Sequence, residues 1–192
     1  MKSAECQAVL ADTLALCHCP CTGDSPLGEI GAAIHLMARS YESDGRGFFV
    51  SGDLVNALAS YWYASGWLHF GIAYGILSCR DRTIPCIFDG PDDQMPDRLK
   101  EKLSEKTARY ARLLNTARSS VIPAPDASAP GHAFALRVLC ISGTYADYGD
   151  RSRKNGTQER ALASFSYGHG WLDAAVTAGL FSIVSNRDIF TV

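Results

Sequence analysis

Four groups of side chains in this 192-residue sequence have the chemistry to do something. The first is His169 with Asp173. Their spacing puts both on one side of a helix, where a carboxylate can orient an imidazole for proton transfer or metal binding. One imidazole and one carboxylate do not close a metal site. A local hydrogen bond at the rim of a core is the plainer reading. The second group is Cys17, Cys19 and Cys21 with His18, joined later by Cys79 and Cys86. Zinc cysteines usually stand farther apart than these alternating ones, so a thiol cluster without metal is expected. The count of 7 cysteines is odd and no export signal precedes them, which argues against a disulfide framework. The third group is Arg151, Arg153 and Lys154 with Arg160. Such a loop can hold a phosphate, but a solvated charged turn is the simpler expectation. The fourth is aromatic: Trp62, Trp67, Phe70 and Tyr74. Their helical spacing suits packing or an interface better than a ligand pocket. No phosphate loop, nucleophile triad or zinc-protease motif is present.

The elements that must position these groups are legible because the chain repeats itself. Shifted by 104 residues, Tyr41–Leu77 aligns with Tyr145–Phe181 without a gap. Twelve of the 37 positions are identical, where chance gives roughly 2 or 3. The matches include Tyr41 with Tyr145, Tyr63 with Tyr167, Gly66 with Gly170 and Trp67 with Trp171. Each copy reads as three helices from spacings of three and four between apolar residues. The first spans about Ser3–Cys17 and again Asp97–Ser119; the second spans Leu27–Gly45 and Gly131–Gly149. The third spans Gly52–Leu77 and Gly156–Phe181, with Ser51 and Asn155 as expected N-caps and Gln158 as the capping partner of Asn155. The end of helix one and the end of helix three then share a pole, which brings Cys79 and Cys86 toward Cys17–Cys21. The tail Asn186–Val192 reads as a short extended segment over a bundle end.

The third helix is apolar around most of its circumference, which demands burial on several sides. A single three-helix bundle covers one side. The two copies are therefore expected to meet through their third helices, with Gly66 and Gly170 allowing close approach. Trp67, Phe70, Tyr74, Tyr167, Gly170 and Trp171 are the expected inter-copy or partner interface.

The run Ala161-Leu-Ala-Ser-Phe-Ser-Tyr-Gly-His-Gly-Trp-Leu-Asp-Ala-Ala-Val-Thr-Ala-Gly-Leu-Phe181 carries a family resemblance. With Tyr145, Gly156 and the final Phe190-Thr-Val192, it resembles the archaeal domain-of-unknown-function family 357. The likeness covers about Asp97–Val192. It implies small three-helix bundles of left-handed twist and an archaeal cytoplasmic setting, with no particular reaction. Copy one departs from the pattern at the pair singled out above: Ser65 stands for His169 and His69 for Asp173.

The expected fold is all-α, a tandem duplication of a three-helix, spectrin-repeat-like up-down-up unit packed about a pseudo-two-fold axis. Residues 1–90 form the first unit and 91–192 the second. A net charge of −2 with mixed signs excludes the basic footprint of a nucleic-acid binder. No apolar run is long enough to span a bilayer, and Glu5 and Asp12 interrupt the first apolar stretch, so a cytoplasmic location is expected. The leading function is a non-enzymatic interaction or scaffold module with a protein partner or a second copy, and no cofactor. The alternative is an enzyme or small-ligand binder built on His169 and Asp173.

Overall fold

The structure is a computed structural model that describes residues 3–21, 23–79 and 94–191. Copy one comprises α1 (Ser3–Leu16), β1 (Cys17–His18), α2 (Pro26–Val50), α3 (Leu54–Tyr74) and β2 (Ser78–Cys79). Copy two comprises α4 (Lys100–Ser119), β3 (Val121–Pro123), α5 (Pro130–Lys154), α6 (Gln158–Thr177) and β4 (Phe181–Ile183). Short 3-10 turns at Asp97–Leu99 and Arg187–Ile189 flank copy two. The protein is an all-α tandem duplication. Among the described residues, no helix is long and apolar enough to cross a membrane.

Each bundle is tied at one pole by a small antiparallel ribbon. β1 pairs with β2, Cys17 opposite Cys79. β3 pairs with β4, Val121 opposite Ile183. The same shift of 104 residues relates the two pairs, so both copies close in the same way. Closure of copy one is covalent, because Cys17 and Cys79 form a disulfide, their Cα atoms 4.2 Å apart. This corrects the expectation of unpaired thiols: strand pairing at the shared pole sets two cysteines opposite each other, which linear spacing did not reveal. Copy two fills the place with an apolar pair.

The third helices are the centre of the molecule. Every residue from Ala57 to Gly71 of α3 and from Ala161 to Val176 of α6 is buried. α3 packs on α2 and α6 on α5, and the two meet each other along a contact as extensive as either. At the crossing, a Cβ on Gly66 would stand 2.5 Å from the Tyr167 carbonyl oxygen and 3.0 Å from Gly170 Cα. A Cβ on Gly170 would run into the Tyr63 carbonyl. One apolar core therefore runs through both copies, and backbone touches backbone on the pseudo-axis.

The second helices are longer than their patterns suggested. They continue past Gly45 and Gly149 to Val50 and Lys154. Those two glycines are buried mid-helix because the rings of Tyr61 and Phe165 lie where a Cβ would be, 2.5 Å away in each case. The expected N-caps are consequently misplaced. Ser51 and Asn155 are C-caps of α2 and α5. Gly52 and Gly156 follow in the left-handed region at φ 79° and 80°, as helix-ending glycines do. Asp53 is the N-cap of α3 and accepts from Asn56 N–H. Thr157 is the N-cap position of α6, and its hydroxyl turns back to the Ser152 carbonyl instead, at 2.9 Å. Gln158 thus begins α6 and forms no capping pair with Asn155. The tail is also corrected: it bends through a 3-10 turn rather than lying extended, with Phe190 buried as its anchor.

Candidate functional site

The crossing of α3 and α6 sets up two related polar contacts, one on each side of the axis. Tyr63 of copy one donates to Asp173 of copy two. Its counterpart Tyr167 meets His69, the counterpart of Asp173, with 3.0 Å between the hydroxyl and Nδ1. The tyrosines are conserved between copies and their partners differ. Flanking rings repeat as well, Tyr41 on Tyr63 at 4.5 Å and Tyr145 on Tyr167 at 4.4 Å.

The side bearing Asp173 is the richer one. Asp173 is 1 % exposed and His169 4 %. The Thr191 hydroxyl donates to Asp173 Oδ2 at 2.9 Å and lies 2.9 Å from the Tyr63 hydroxyl. His169 Nε2 is 3.6 Å from the same oxygen. All the partners thus gather on Oδ2. The other oxygen, Oδ1, is buried and has no hydrogen-bond partner among the described residues. Burying a carboxylate is costly unless it is paired, and an unsatisfied buried oxygen requires a reason. Burial of Tyr63, and next the negative charge of Asp173, push its hydroxyl well above the ordinary tyrosine value. It therefore stays a proton donor.

These groups border a cavity of about 150 Å³. Tyr41, Ser60, Tyr63, Tyr110, Asp173 and Thr191 line it, with His169, Ala59, Leu113 and Ile189 completing the wall. Four helices and the tail meet there. α2 brings Tyr41, α3 brings Ser60 and Tyr63, α4 brings Tyr110, and α6 brings His169 and Asp173. The buried Phe190 fixes Thr191 beside them.

The opposite contact is closed down. His69 is 8 % exposed, and burial lowers its pKa to about 4. The imidazole is therefore neutral near pH 7. Burial also raises the Tyr167 hydroxyl well above its usual value. The pair is an uncharged hydrogen bond within the core.

The aromatic residues named from the sequence meet around this centre. Phe70 packs edge-on against Trp171 at 5.8 Å and against Phe134 at 6.0 Å. Tyr74 reaches Phe134 at 5.0 Å. Trp62 approaches Tyr167 at 6.5 Å, while Trp67 touches Tyr63 of its own helix at 6.3 Å. The cysteines do not form a larger cluster here. Cys17 and Cys79 are bonded, Cys19 and Cys21 are free and half-buried, and Cys86 lies outside the described residues. Among the described residues, no three His, Cys, Asp or Glu side chains are grouped to hold a metal. Arg151 and Arg160 border a second, surface cavity of about 270 Å³ with Asn155 and Thr157, and Arg153 pairs with Asp150 at 3.0 Å.

Sequence reasoning singled out His169 and Asp173 but not Tyr63, Thr191 or Tyr110 as their neighbours. The signal for Tyr63 was present. Two tyrosines are identical between copies while the residue six further on changes from His69 to Asp173. Two helices crossing at Gly66 and Gly170 place each tyrosine against the other copy's variable position. Nothing local foretells Thr191, which arrives through a tail contact.

Fold and site together define a duplicated three-helix protein with a cavity beside a buried carboxylate between its copies. The chain belongs to the family described as protein of unknown function (DUF357), whose model matches residues 7–77 and 109–181. The two matched stretches coincide with the two structural copies. Comparison with curated proteins and with solved structures yields no match.

Proposed function

We propose that this protein binds a small ligand in the cavity around His169 and Asp173, without turning it over. The observation that carries this reading is the buried carboxylate whose Oδ1 has no partner among the described residues, beside a cavity of about 150 Å³. The large majority of buried side-chain polar atoms are hydrogen-bonded, and a charged oxygen is the costliest kind to leave without a partner. Tyr63 keeps its proton and donates it in a hydrogen bond to Asp173 Oδ2, so its hydroxyl is no ready base, which suits recognition better than proton transfer. The test is ligand-observed NMR of the full chain against a diverse set of small fragments, repeated with Ser60→Met, which fills the cavity. Binding to the native chain that vanishes in the variant supports the reading. No binder, or binders indifferent to Ser60→Met, would overturn it.

A scaffold role is favoured by a different surface. Phe48, Phe49 and Val50 are exposed at the end of α2, where copy two has Ser152, Arg153 and Lys154. An exposed apolar tip suits a protein partner. Pull-down with Phe49→Ser as the control tests that role independently of the cavity. A cytoplasmic setting would keep Cys17 and Cys79 reduced, so the oxidation state of this pair in cells tests the placement.

A further inference from the structure

We infer that the ligand of this cavity is a small organic cation, an ammonium of a few heavy atoms; the inference rests on the ligand-binding reading above. Charge comes first. The ten lining residues include one carboxylate and one imidazole but no lysine or arginine. An anion would meet Asp173 without a fixed counter-charge. A cation would give that carboxylate the compensation a buried charge requires. His169, 3.6 Å away, supplies such compensation only when protonated.

The wall chemistry then separates organic from inorganic cations. Hard metal ions take several carboxylate or carbonyl oxygens at once. Among the described residues no metal-holding group of three acidic, His or Cys side chains exists, here or elsewhere. The wall instead has three tyrosines, Tyr41, Tyr63 and Tyr110. Aromatic faces beside a carboxylate are the surroundings in which alkylammonium groups are held, through the ring quadrupole and charge together. Tyr110 already has one ammonium at the outer limit of such contact, Lys106 Nζ at 5.9 Å from its ring centroid.

Size limits the ligand further. The volume of about 150 Å³ is well below the roughly 300–1,000 Å³ of a site for a drug-sized ligand. That fits methylammonium through tetramethylammonium, or the ammonium end of a longer molecule whose remainder leaves by the mouth. Ligand efficiency places so small a probe at roughly micromolar affinity at best, so the assay has to work at millimolar concentrations.

The experiment uses the full chain with three matched probes, tetramethylammonium, tert-butanol and pivalate, each followed by ligand-observed NMR and by titration at constant ionic strength. The expected result is binding of tetramethylammonium, weakened about tenfold or more in Asp173→Asn, with neither other probe bound. Because Asp173→Asn removes a buried charge and can upset folding, Tyr110→Leu and Tyr110→Phe form a second arm. Leucine should weaken tetramethylammonium several-fold and phenylalanine should not, since the ring and not the hydroxyl makes the contact. Binding of tert-butanol or pivalate as strong as that of tetramethylammonium would overturn the cation assignment and leave the ligand-binding reading standing. Equal loss in both Tyr110 variants would overturn it too. Silence of all three probes and of the wider fragment set would sink both readings.

Discussion

Replacing Gly170 with alanine should destabilise the whole chain, although alanine is the better helix former. The added Cβ would meet the Tyr63 carbonyl on one side and come within 3.2 Å of Gly66 Cα. At the mirrored position, Gly66, the intruding atom would stand 2.5 Å from a carbonyl oxygen, where ordinary contact begins at 3.4 Å. The obstacle is backbone in both cases, so no side chain can swing aside. The helices have to part by about 1 Å, and a gap of that order forfeits roughly a quarter to a half of the dispersion energy across it. Overpacking of this kind costs about 1–3 kcal/mol. Loss of contact between Phe70 and Trp171, at the same interface, adds to the upper end. Helix propensity returns about 1 kcal/mol. A net loss of about 2 kcal/mol follows, or roughly 4–8 °C of melting temperature for a chain of this size. Gly47 is the control. It lies in α2 with nothing within 4 Å of an added Cβ, so Gly47→Ala should gain up to about 1 kcal/mol. Urea unfolding followed by circular dichroism reads both. A Gly170→Ala midpoint equal to or above that of the native chain would refute the close crossing.

Three further outcomes are expected. His69 is buried neutral with a pKa near 4 against an unfolded value of 6.5, so the unfolded chain binds the extra proton more readily. The contribution is intact above pH 6.5 and is lost as pH falls toward 4, by about 3 kcal/mol in all; a pH profile of urea midpoints no steeper than that of His69→Gln would refute this. Reduction of the Cys17–Cys79 bond, which spans 62 residues, should cost about 2–4 kcal/mol. The double variant Cys17→Val with Cys79→Ile should recover part of it by copying the Val121–Ile183 pair; equal melting of oxidised and reduced protein would contradict the staple. Expressed alone, residues 97–192 should dimerise through α6 or aggregate, because Tyr167, Trp171 and the rest of a helix buried all round lose their cover. A monomeric half as stable as the full chain, by analytical ultracentrifugation and melting, would count against a shared core.

Most of the fold was legible because two periodicities agreed. The ungapped repeat announced the duplication, and apolar stripes at helical spacing announced three helices per copy. A helix apolar on every side also required an unusual degree of burial. What escaped was set by contacts rather than by runs of residues. Gly45 and Gly149 read as helix ends, yet each is a notch for an aromatic ring of the neighbouring helix. Ser51 and Asn155 have the right chemistry for an N-cap, but a glycine in the left-handed region after each one ends the preceding helix there. The disulfide depended on strand register between segments 62 residues apart. At the candidate site, the His169–Asp173 spacing was visible. The hydroxyls that hold Oδ2 come from another copy and from the tail, beyond the reach of any local pattern.

The duplication itself explains how such a site can exist. Two identical units crossing on a two-fold axis would repeat every residue near that axis, so an aspartate at this position would bury two carboxylates. Each would need a counter-charge inside one core, and unpaired buried charges are among the most destabilising features a protein can hold. Joining the units in one chain removes that constraint. One copy can keep the carboxylate while the other takes a residue that is neutral when buried. The structure has this arrangement, with Tyr167 on a neutral His69 and Tyr63 on Asp173. Ser65, standing where copy two has His169, bonds back to the Tyr61 carbonyl of its own helix at 2.8 Å. The copy-one positions have turned inward to the core, while at Asp173 a carboxylate oxygen without a partner among the described residues remains beside the cavity. A chain in which His69→Asp restores the symmetry should therefore fold less stably than Asp173→His, which makes both contacts neutral. The opposite order in urea would mean that the asymmetry serves packing alone.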